Sequence, residues 1–144
     1  MSLSQHITER LKITSNSKSA TVTPKSKEQL QSIIEQELER QGPDADLNFI
    51  DTSLITDMSE LFKDLTIRNI EIDEWDVSNV TNMNSMFAYC RKFEGDGLEN
   101  WDMSNVRDIS NMFKECKNFN GDLSSWKLPK ITSLYLTFHK CSIL

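Results

Sequence analysis

The sequence predicts an α+β repeat solenoid: a leucine-rich-repeat-like stack of short parallel strands and short helical turns, with an N-terminal capping helix. Tryptophan recurs at positions 75, 101 and 126, at intervals of 26 and 25 residues. Each tryptophan is followed by a phenylalanine and, three residues after that, by a cysteine. A fixed period of this length is typical of stacked repeats. An amphipathic segment ahead of the first repeat has the spacing of a helix that covers its end.

The register defines four repeats of 25–26 residues, which begin at Ile50, Trp75, Trp101 and Trp126. The first and last copies are degenerate, as edge copies usually are, because one of their faces meets no neighbouring repeat. We expect Trp101, in a middle repeat, to be buried between its neighbours; an exposed binding hot spot is the alternative. The predicted core columns are Trp75, Trp101 and Trp126; Phe62, Phe87, Phe113 and Phe138; and Cys90, Cys116 and Cys141.

Each repeat is predicted to contain a short strand, a helical turn and a second short strand. Residues 80–83 have apolar ends and a β-branched residue, which favours a strand. Phe87 and Cys90 are three residues apart, which fits one face of a helical turn. The residues before the tryptophans, at 69–72 and around 122–123, predict the second strand. This order is the plan of leucine-rich-type repeats.

Two domains are predicted: residues 1–46 form an N-terminal extension, and residues 47–144 form the four repeats, the last acting as a C-terminal cap. The extension contains an amphipathic helix at about 24–41, which a Gly-Pro pair ends;. Either Thr23 or Ser26 has the side chain to cap its start. We expect this helix to lie across the open end of the first repeat and to close its core. A partner-binding or dimerising helix is the alternative.

The first twenty residues leave two interpretations open. Leu3, Ile7 and Leu11 are spaced four apart, which suits a helix;. Segments 10–14 and 20–23 would instead pair as a small hairpin. The pattern favours neither.

Two motifs resemble the BspA-like surface-protein repeat of bacteria, the domain of unknown function 285 group. They are Trp-Asp-Val-Ser-Asn-Val-Thr-Asn-Met-x-x-Met-Phe at 75–87 and Phe-Asn-Gly-Asp-Leu-Ser-x-Trp at 119–126. The resemblance spans about residues 47–141. It implies a leucine-rich-repeat-like solenoid with a role in protein binding or adhesion, and it implies no catalytic residues. The chain departs from the pattern at an insertion around Gly97 and in the last repeat, which lacks the Asp-Val-Ser-Asn.

The charge distribution predicts a partner. Residues 48–144 carry 15 of the 22 acidic residues and 10 of the 16 basic ones, and the whole chain has a net charge of −6. Acids group before and after successive tryptophans, and a ridge of them would attract a basic protein surface. Direct nucleic-acid binding is not expected, because a phosphate backbone is bound by Lys and Arg. A solvated rim is the alternative. The predicted partner-binding residues are Glu71, Asp73, Glu74, Glu94, Asp96 and Glu99.

The sequence predicts no catalytic residues, no cofactor and no metal site. His6 and His139 have no partner at a recognisable spacing for general-base or nucleophilic chemistry. The three cysteines occupy equivalent repeat positions, which favours a line of buried thiols over a tetrahedral metal site. The recurring Asp51, Asp76 and Asp102 are expected to cap turns by accepting hydrogen bonds from nearby amides, not to bind calcium.

These features predict a non-catalytic protein–protein interaction module that presents an acidic repeat surface to a protein partner. One alternative is a small intracellular inhibitor or immunity-type protein, such as a mobile element encodes, that blocks a basic site on a nucleic-acid enzyme. Another is an end fragment of an adhesin that self-associates. No segment approaches the roughly 20 apolar residues that span a bilayer, and the N-terminus lacks a signal-peptide pattern. A cytoplasmic location is therefore expected; the pattern does not predict the oligomeric state.

Overall fold

The computed structural model describes residues 21–142. The helix expected at residues 3–11 and the hairpin segment 10–14 lie outside this range, whereas Val22, in the other hairpin segment, forms a parallel bridge with Ile50. In the described part the chain forms one helix, α1, which spans Lys27–Gln41. Leu30 and Ile34 on its inner face are fully buried, in the same core cluster as the apolar residues of the repeats. The amphipathic pattern of α1 therefore serves to pack it against the repeats.

Both ends of α1 have a cap with a clear physical cause. Ser26, and not Thr23, begins the helix, because its hydroxyl accepts a hydrogen bond from the amide of Gln29 at 3.2 Å;. Gly42 ends it with a φ of 86°, a conformation that costs glycine little;. The amide of Gly42 donates to the carbonyl of Leu38 at 2.8 Å, which satisfies one of the unpaired carbonyls of the last turn;.

The predicted α+β solenoid of parallel strands and helical turns is wrong. Residues 21–142 contain α1 and no strand. Isolated parallel bridges link equivalent positions of successive repeats: Asp57 with Asn82, Asn82 with Asp108, and Asp108 with Ser133. The strand predicted at 80–83 contributes only Asn82 to them, and the strand predicted at 69–72 contributes only Glu71 to another bridge. Residues 122–123 contribute no bridge.

The segments predicted as helical turns are instead chains of tight turns, because their amides alternate between two partners. In the second repeat Met86 N donates to Met83 O at 3.2 Å, three residues back. Phe87 N donates out of the repeat, to Met112 O of the third repeat at 2.9 Å. An α-helix needs every interior amide for the carbonyl four residues back, so this alternation excludes it.

We call the amides that donate to the following repeat the donor ladder. Each of the first three repeats has four of them, at alternate residues, with N···O distances of 2.8–3.0 Å. They belong to Met58, Glu60, Phe62 and Asp64; to Met83, Ser85, Phe87 and Tyr89; and to Ile109, Asn111, Phe113 and Glu115. The donor ladder gives the repeats their register, since a slip of one residue would leave every donor without its acceptor.

Positive φ angles at equivalent positions produce these turns. A type II turn requires a positive φ at its third residue, and such a residue interrupts both a helix and a strand. The values lie between 56° and 64°, and none of the residues is glycine. They are Glu60 and Asp64; Ser85 and Tyr89; Asn111 and Glu115; and Leu136 and Lys140.

Aromatic rings stack across the repeat boundaries and form the centre of the core. The phenylalanine rings at 62, 87, 113 and 138 follow one another at centroid distances of 5.3, 5.6 and 5.6 Å, with planes within 8° of parallel. Trp75 and Trp101 are stacked at 6.3 Å. The indole nitrogens of Trp75, Trp101 and Trp126 donate to the carbonyls of Leu47, Ile72 and Leu98 at 2.8–2.9 Å. Each tryptophan thus packs its ring against other aromatic side chains, and its indole N–H has a hydrogen-bond acceptor.

α1 lies on the side of the first repeat that faces away from the second. Lys27 Nζ donates to the carbonyl of Ser59 at 3.4 Å and to its hydroxyl at 3.0 Å. The equivalent carbonyl in the second repeat, that of Asn84, accepts the donor-ladder hydrogen bond of Glu60. In the second repeat this carbonyl is therefore bonded by an amide of the repeat before it. In the first repeat Lys27 of α1 takes the place of that amide.

Candidate functional site

Four carboxylates meet where the chain enters the first and second repeats, and we call Asp46, Glu71, Asp73 and Glu74 the acidic cluster. All four are exposed, and Asp46 and Glu71 are joined by a parallel bridge. The side chain of Asn48 fixes the loop that carries Asp73 and Glu74. Its Nδ2 donates to Asp73 Oδ1 at 2.8 Å, and its Oδ1 accepts from Glu74 N at 3.0 Å. The sequence predicts three of these acids but misses Asp46, although Asp46 precedes Glu71 by the repeat period of 25 residues.

Repulsion inside the acidic cluster changes the ionisation of Glu71. The charge of Asp46 raises the pKa of the Glu71 carboxyl, partial burial and a hydrogen bond with Asp46 raise it further, and the charges of Asp73 and Glu74 add to it. Each group named as acting on this carboxyl favours its protonated form. A cation placed against the cluster would relieve this repulsion.

The other predicted partner-binding acids lie in different surroundings. Glu94 and Asp96 line a surface cavity of about 600 Å³ together with Lys117. Glu94 also lies near Arg68, whose guanidinium is paired with Asp44. These cations partly neutralise the acids around them, unlike the groups around Glu71.

The loop that follows Glu94 nevertheless approaches the acidic cluster. A β-carbon built on Gly97 would lie 3.2 Å from the β-carbon of Asp73, so the exposed Asp96 is carried close to that loop. The carboxylate of Glu99 accepts a hydrogen bond from Gly97 N at 3.1 Å, within its own loop. The six predicted acids are therefore not equivalent. Glu71, Asp73 and Glu74 lie in the acidic cluster. Glu94 and Asp96 share a cavity with Lys117, and Glu99 accepts a hydrogen bond within its own loop.

Cations concentrate where the turn segments end, a feature that the sequence-based prediction does not include. Glu115 lies 3.3 Å from Lys117 Nζ, 3.5 Å from an Arg91 nitrogen and 3.7 Å from Lys140 Nζ. Lys114 Nζ lies 5.7 Å from the ring centre of Tyr89, within range of a cation–π contact;. Glu115 is thus paired with three cations, and these four side chains together carry a net positive charge.

The recurring aspartates cap turns, as predicted. Oδ1 of Asp51, Asp76 and Asp102 accepts a hydrogen bond from the amide two residues further on, at 2.9–3.0 Å. In the third repeat the hydroxyl and the amide of Ser104 lower the pKa of the Asp102 carboxyl. Among residues 21–142 no group of three His, Cys, Asp or Glu side chains is placed to hold a metal ion.

The cysteines lie along the phenylalanine column. Cys90 and Cys116 are fully buried, and their sulfurs contact the carbonyls of Phe62 and Phe87 at 2.9 and 3.0 Å. Burial raises the pKa of the Cys90 thiol and raises that of Cys116 to about 12. Both thiols therefore stay protonated at neutral pH, and a buried thiol is a poor nucleophile. Cys141, in the last repeat, is half-buried.

The last repeat has an uncovered outer side, and we call residues 134–140 the terminal turn. Phe138 is 44% exposed and Leu134 is 59% exposed, whereas the equivalent Phe113 and Ile109 are 0% and 4% exposed. Tyr135, at the tip, is 71% exposed. Trp126 is half-buried, in contrast to the buried Trp75 and Trp101. The core columns thus continue to the surface at this end.

Comparison with known proteins gives a family but no characterised relative. A family model described as "Mycoplasma protein of unknown function, DUF285" matches residues 29–144. No curated protein matches significantly, and neither does any solved structure. Within the described residues, no helix has the length and apolar character needed to cross a membrane.

Proposed function

The chain belongs to the family described as Mycoplasma protein of unknown function, DUF285. We propose that it is a non-catalytic protein–protein interaction module. Its partner is a basic protein surface, and the acidic cluster is the centre of the contact. Kinship with BspA-like surface proteins, indicated by the motif at 75–87, is part of this proposal, because protein binding is what that resemblance implies. The leucine-rich-repeat fold is not part of it.

The convergence of four exposed carboxylates in the acidic cluster, where Asp46 and Glu71 are joined by a parallel bridge, is the observation that carries this proposal. In the free protein Asp46, Asp73 and Glu74 all act on Glu71 to favour its protonated form, so their mutual repulsion opposes folding. A Lys or Arg of a partner placed against the cluster would convert that repulsion into attraction. Complementary charge of this kind raises the association rate and rejects acidic competitors.

Affinity capture with charge-matched variants tests the proposal. The cluster variant carries Glu71→Gln, Asp73→Asn and Glu74→Gln. The control variant removes the same charge from three other exposed acids, with Glu35→Gln, Glu39→Gln and Glu60→Gln. We expect a basic protein to be captured from a lysate by the wild type and the control, and captured about tenfold less by the cluster variant, with binding that weakens as salt increases. Equal capture by all three proteins would contradict the proposal.

A second candidate follows from the same cluster. A cytoplasmic inhibitor or immunity-type protein would place its carboxylates where a nucleic-acid enzyme binds phosphates, since both are rows of negative charge. In that case the captured partner is a nucleic-acid enzyme, and duplex DNA competes with the chain for it. A captured basic partner that DNA does not displace would exclude this candidate and leave the more general one standing.

A further inference from the structure

Asn120 has an exposed side chain and is followed by a glycine whose amide is free. Gly121 N has no hydrogen-bond acceptor among residues 21–142, and the side chain of Asn120 makes no hydrogen bond within the same range. The backbone amide of Asn120 donates to Glu94 O at 2.8 Å, which holds the chain just before this pair. An unbonded nitrogen, with no β-carbon beside it, therefore adjoins an unbonded carboxamide.

The other asparagines of the described range lack this combination. The residue after Asn118 is Phe119, whose amide donates to Cys116 O at 3.3 Å. Asn48 and Asn69 are followed by a phenylalanine and an isoleucine, and these side chains hinder any attack by the nitrogen that follows the asparagine. The next amide is hydrogen-bonded after each of the remaining ones, which are Asn79, Asn82, Asn84, Asn100, Asn105 and Asn111.

We propose that Asn120 is a site of spontaneous deamidation. Gly121 N loses its proton to hydroxide and attacks Cγ of Asn120, so that a C–N bond forms and the bond from Cγ to the side-chain nitrogen breaks. That nitrogen takes a proton from water and leaves as ammonia, which regenerates the hydroxide and leaves a five-membered succinimide. Water then opens the ring at either carbonyl and gives aspartate or isoaspartate at position 120.

The new carboxylate changes the charge of the cavity that Asn120 lines with Glu94, Asp96 and Lys117. The cavity holds two carboxylates and one ammonium group before the reaction, and three carboxylates and one ammonium group after it. The reaction needs only water and hydroxide. The negative charge of this surface therefore increases with the age of the molecule.

The isoaspartate product has a second effect, because it adds a carbon to the main chain beside Gly121. This glycine is buried and closely packed, since a β-carbon built on it would lie 2.5 Å from Gly95 O and 2.9 Å from the ring of Phe119. The longer backbone has no room there. Isoaspartate should therefore loosen the packing of residues 119–121, whereas aspartate adds only charge.

The pair Asp96-Gly97 provides a control, because Asp96 lines the same cavity. An aspartate before a glycine forms the same succinimide by losing water. Here, however, Gly97 N donates to Glu99 Oε2 at 3.1 Å, and a carboxylate acceptor opposes loss of the amide proton;. We expect no isoaspartate at position 96 while the chain is folded.

Peptide mapping of the full chain after incubation at mildly alkaline pH tests the proposal. Cleavage after Lys117 and Lys127 releases a peptide that contains both Asn118 and Asn120. We expect the mass gain of one amide-to-acid conversion, which fragmentation locates at residue 120, while Asn118 keeps its amide. The Asn120→Gln variant should keep its amide, because glutamine would have to close a less favourable six-membered ring. In urea, where the hydrogen bond to Glu99 is lost, isoaspartate should also form at position 96.

Urea unfolding compares the two products. The isoaspartate fraction of the incubated protein should unfold at a lower urea concentration than the Asn120→Asp variant, which adds the charge without lengthening the backbone.

Four results would overturn the inference. An intact amide at Asn120 in the incubated folded chain would mean that the fold keeps its Cγ out of reach of Gly121 N. Equal conversion of Asn118 and Asn120 would mean that a free following amide gives no selectivity. Isoaspartate at position 96 of the folded chain, formed as fast as at 120, would mean that the hydrogen bond to Gly97 N is not protective. Equal urea midpoints of the two products would contradict the close packing at Gly121.

Discussion

Replacing Trp101 with alanine should lower the free energy of unfolding by about 3–5 kcal/mol, the usual cost of removing a buried aromatic side chain. The indole is 4% exposed and stacks on Trp75 at 6.3 Å. Its Nε1 donates to Ile72 O at 2.9 Å, and without it this carbonyl keeps the hydrogen bond that it accepts from Trp75 N at 3.2 Å. The expected loss therefore comes mainly from the packing of the ring. Domains of this size have a total stability of roughly 5–15 kcal/mol, so the variant would be near its unfolding limit.

Trp126 provides a matched control, because it makes the same indole hydrogen bond, to Leu98 O at 2.8 Å, but is only half-buried. Trp126→Ala should cost about 1–2 kcal/mol, since less apolar surface is exposed by its loss. Trp101→Phe keeps a ring and loses the donor, and should cost about 1–2 kcal/mol. Urea unfolding followed by circular dichroism measures all three. A Trp101→Ala cost no greater than that of Trp126→Ala would refute the argument that packing between two repeats sets its magnitude.

Four further changes test the backbone and the charges. Gly95→Ala should be more destabilising than Gly42→Ala in urea unfolding, because both have a φ near 87° but only at Gly95 would the new carbon meet an aromatic ring, at 2.4 Å; equal costs would contradict this. Glu60 has a φ of 59°, so Glu60→Gly should give a more stable protein than Glu60→Ala by about 1 kcal/mol, the reverse of the usual order;. If the alanine variant were at least as stable as the glycine variant, residue 60 would not have the left-handed conformation. Glu71→Gln should stabilise the protein at neutral pH, because the raised pKa means that the ionised carboxylate opposes folding; the gain should vanish as the pH falls to the unfolded pKa of about 4.3;. Asp102→Ala should do the opposite, since a lowered pKa stabilises the fold above an unfolded pKa of about 3.9 and this contribution is lost as the pH falls through the folded value;. Thermal unfolding measured from pH 3 to 7 separates the last two, and changes of the same sign would contradict both.

The repeat period in the sequence predicts which residues are equivalent but not the conformation that joins them. Phe87 and Cys90 are three residues apart, which suits a helical turn and equally suits successive turns closed by hydrogen bonds three residues back. Among the residues with positive φ, Tyr89 and Leu136 belong to types that rarely adopt it, and Asp64 and Asn111 to types that are enriched there;. Because the equivalent positions share no residue type, the sequence carries no consistent signal for the turns. Hydrogen bonds to the neighbouring repeat hold these residues where propensity does not.

Two features of the surface were also hidden in the sequence. Asp46 lies ahead of the first recognisable repeat, so it was not grouped with Glu71 although the period connects them. Leu134 and Phe138 match the core columns, and a pattern shared with buried residues does not reveal that these two side chains are exposed.

The alternation of amides in the turn segments also determines how the molecule comes apart. Half of the amides in each turn segment of the first three repeats bond only to the following repeat. The stability of a repeat therefore depends on its contact with its neighbour, and the repeats unfold in order along the stack. One end of the described stack packs against α1, and at the other end the amides of Leu134, Leu136, Phe138 and Lys140 have no acceptor among residues 21–142. Unfolding is therefore expected to begin at the terminal turn. It should then proceed one repeat at a time toward α1.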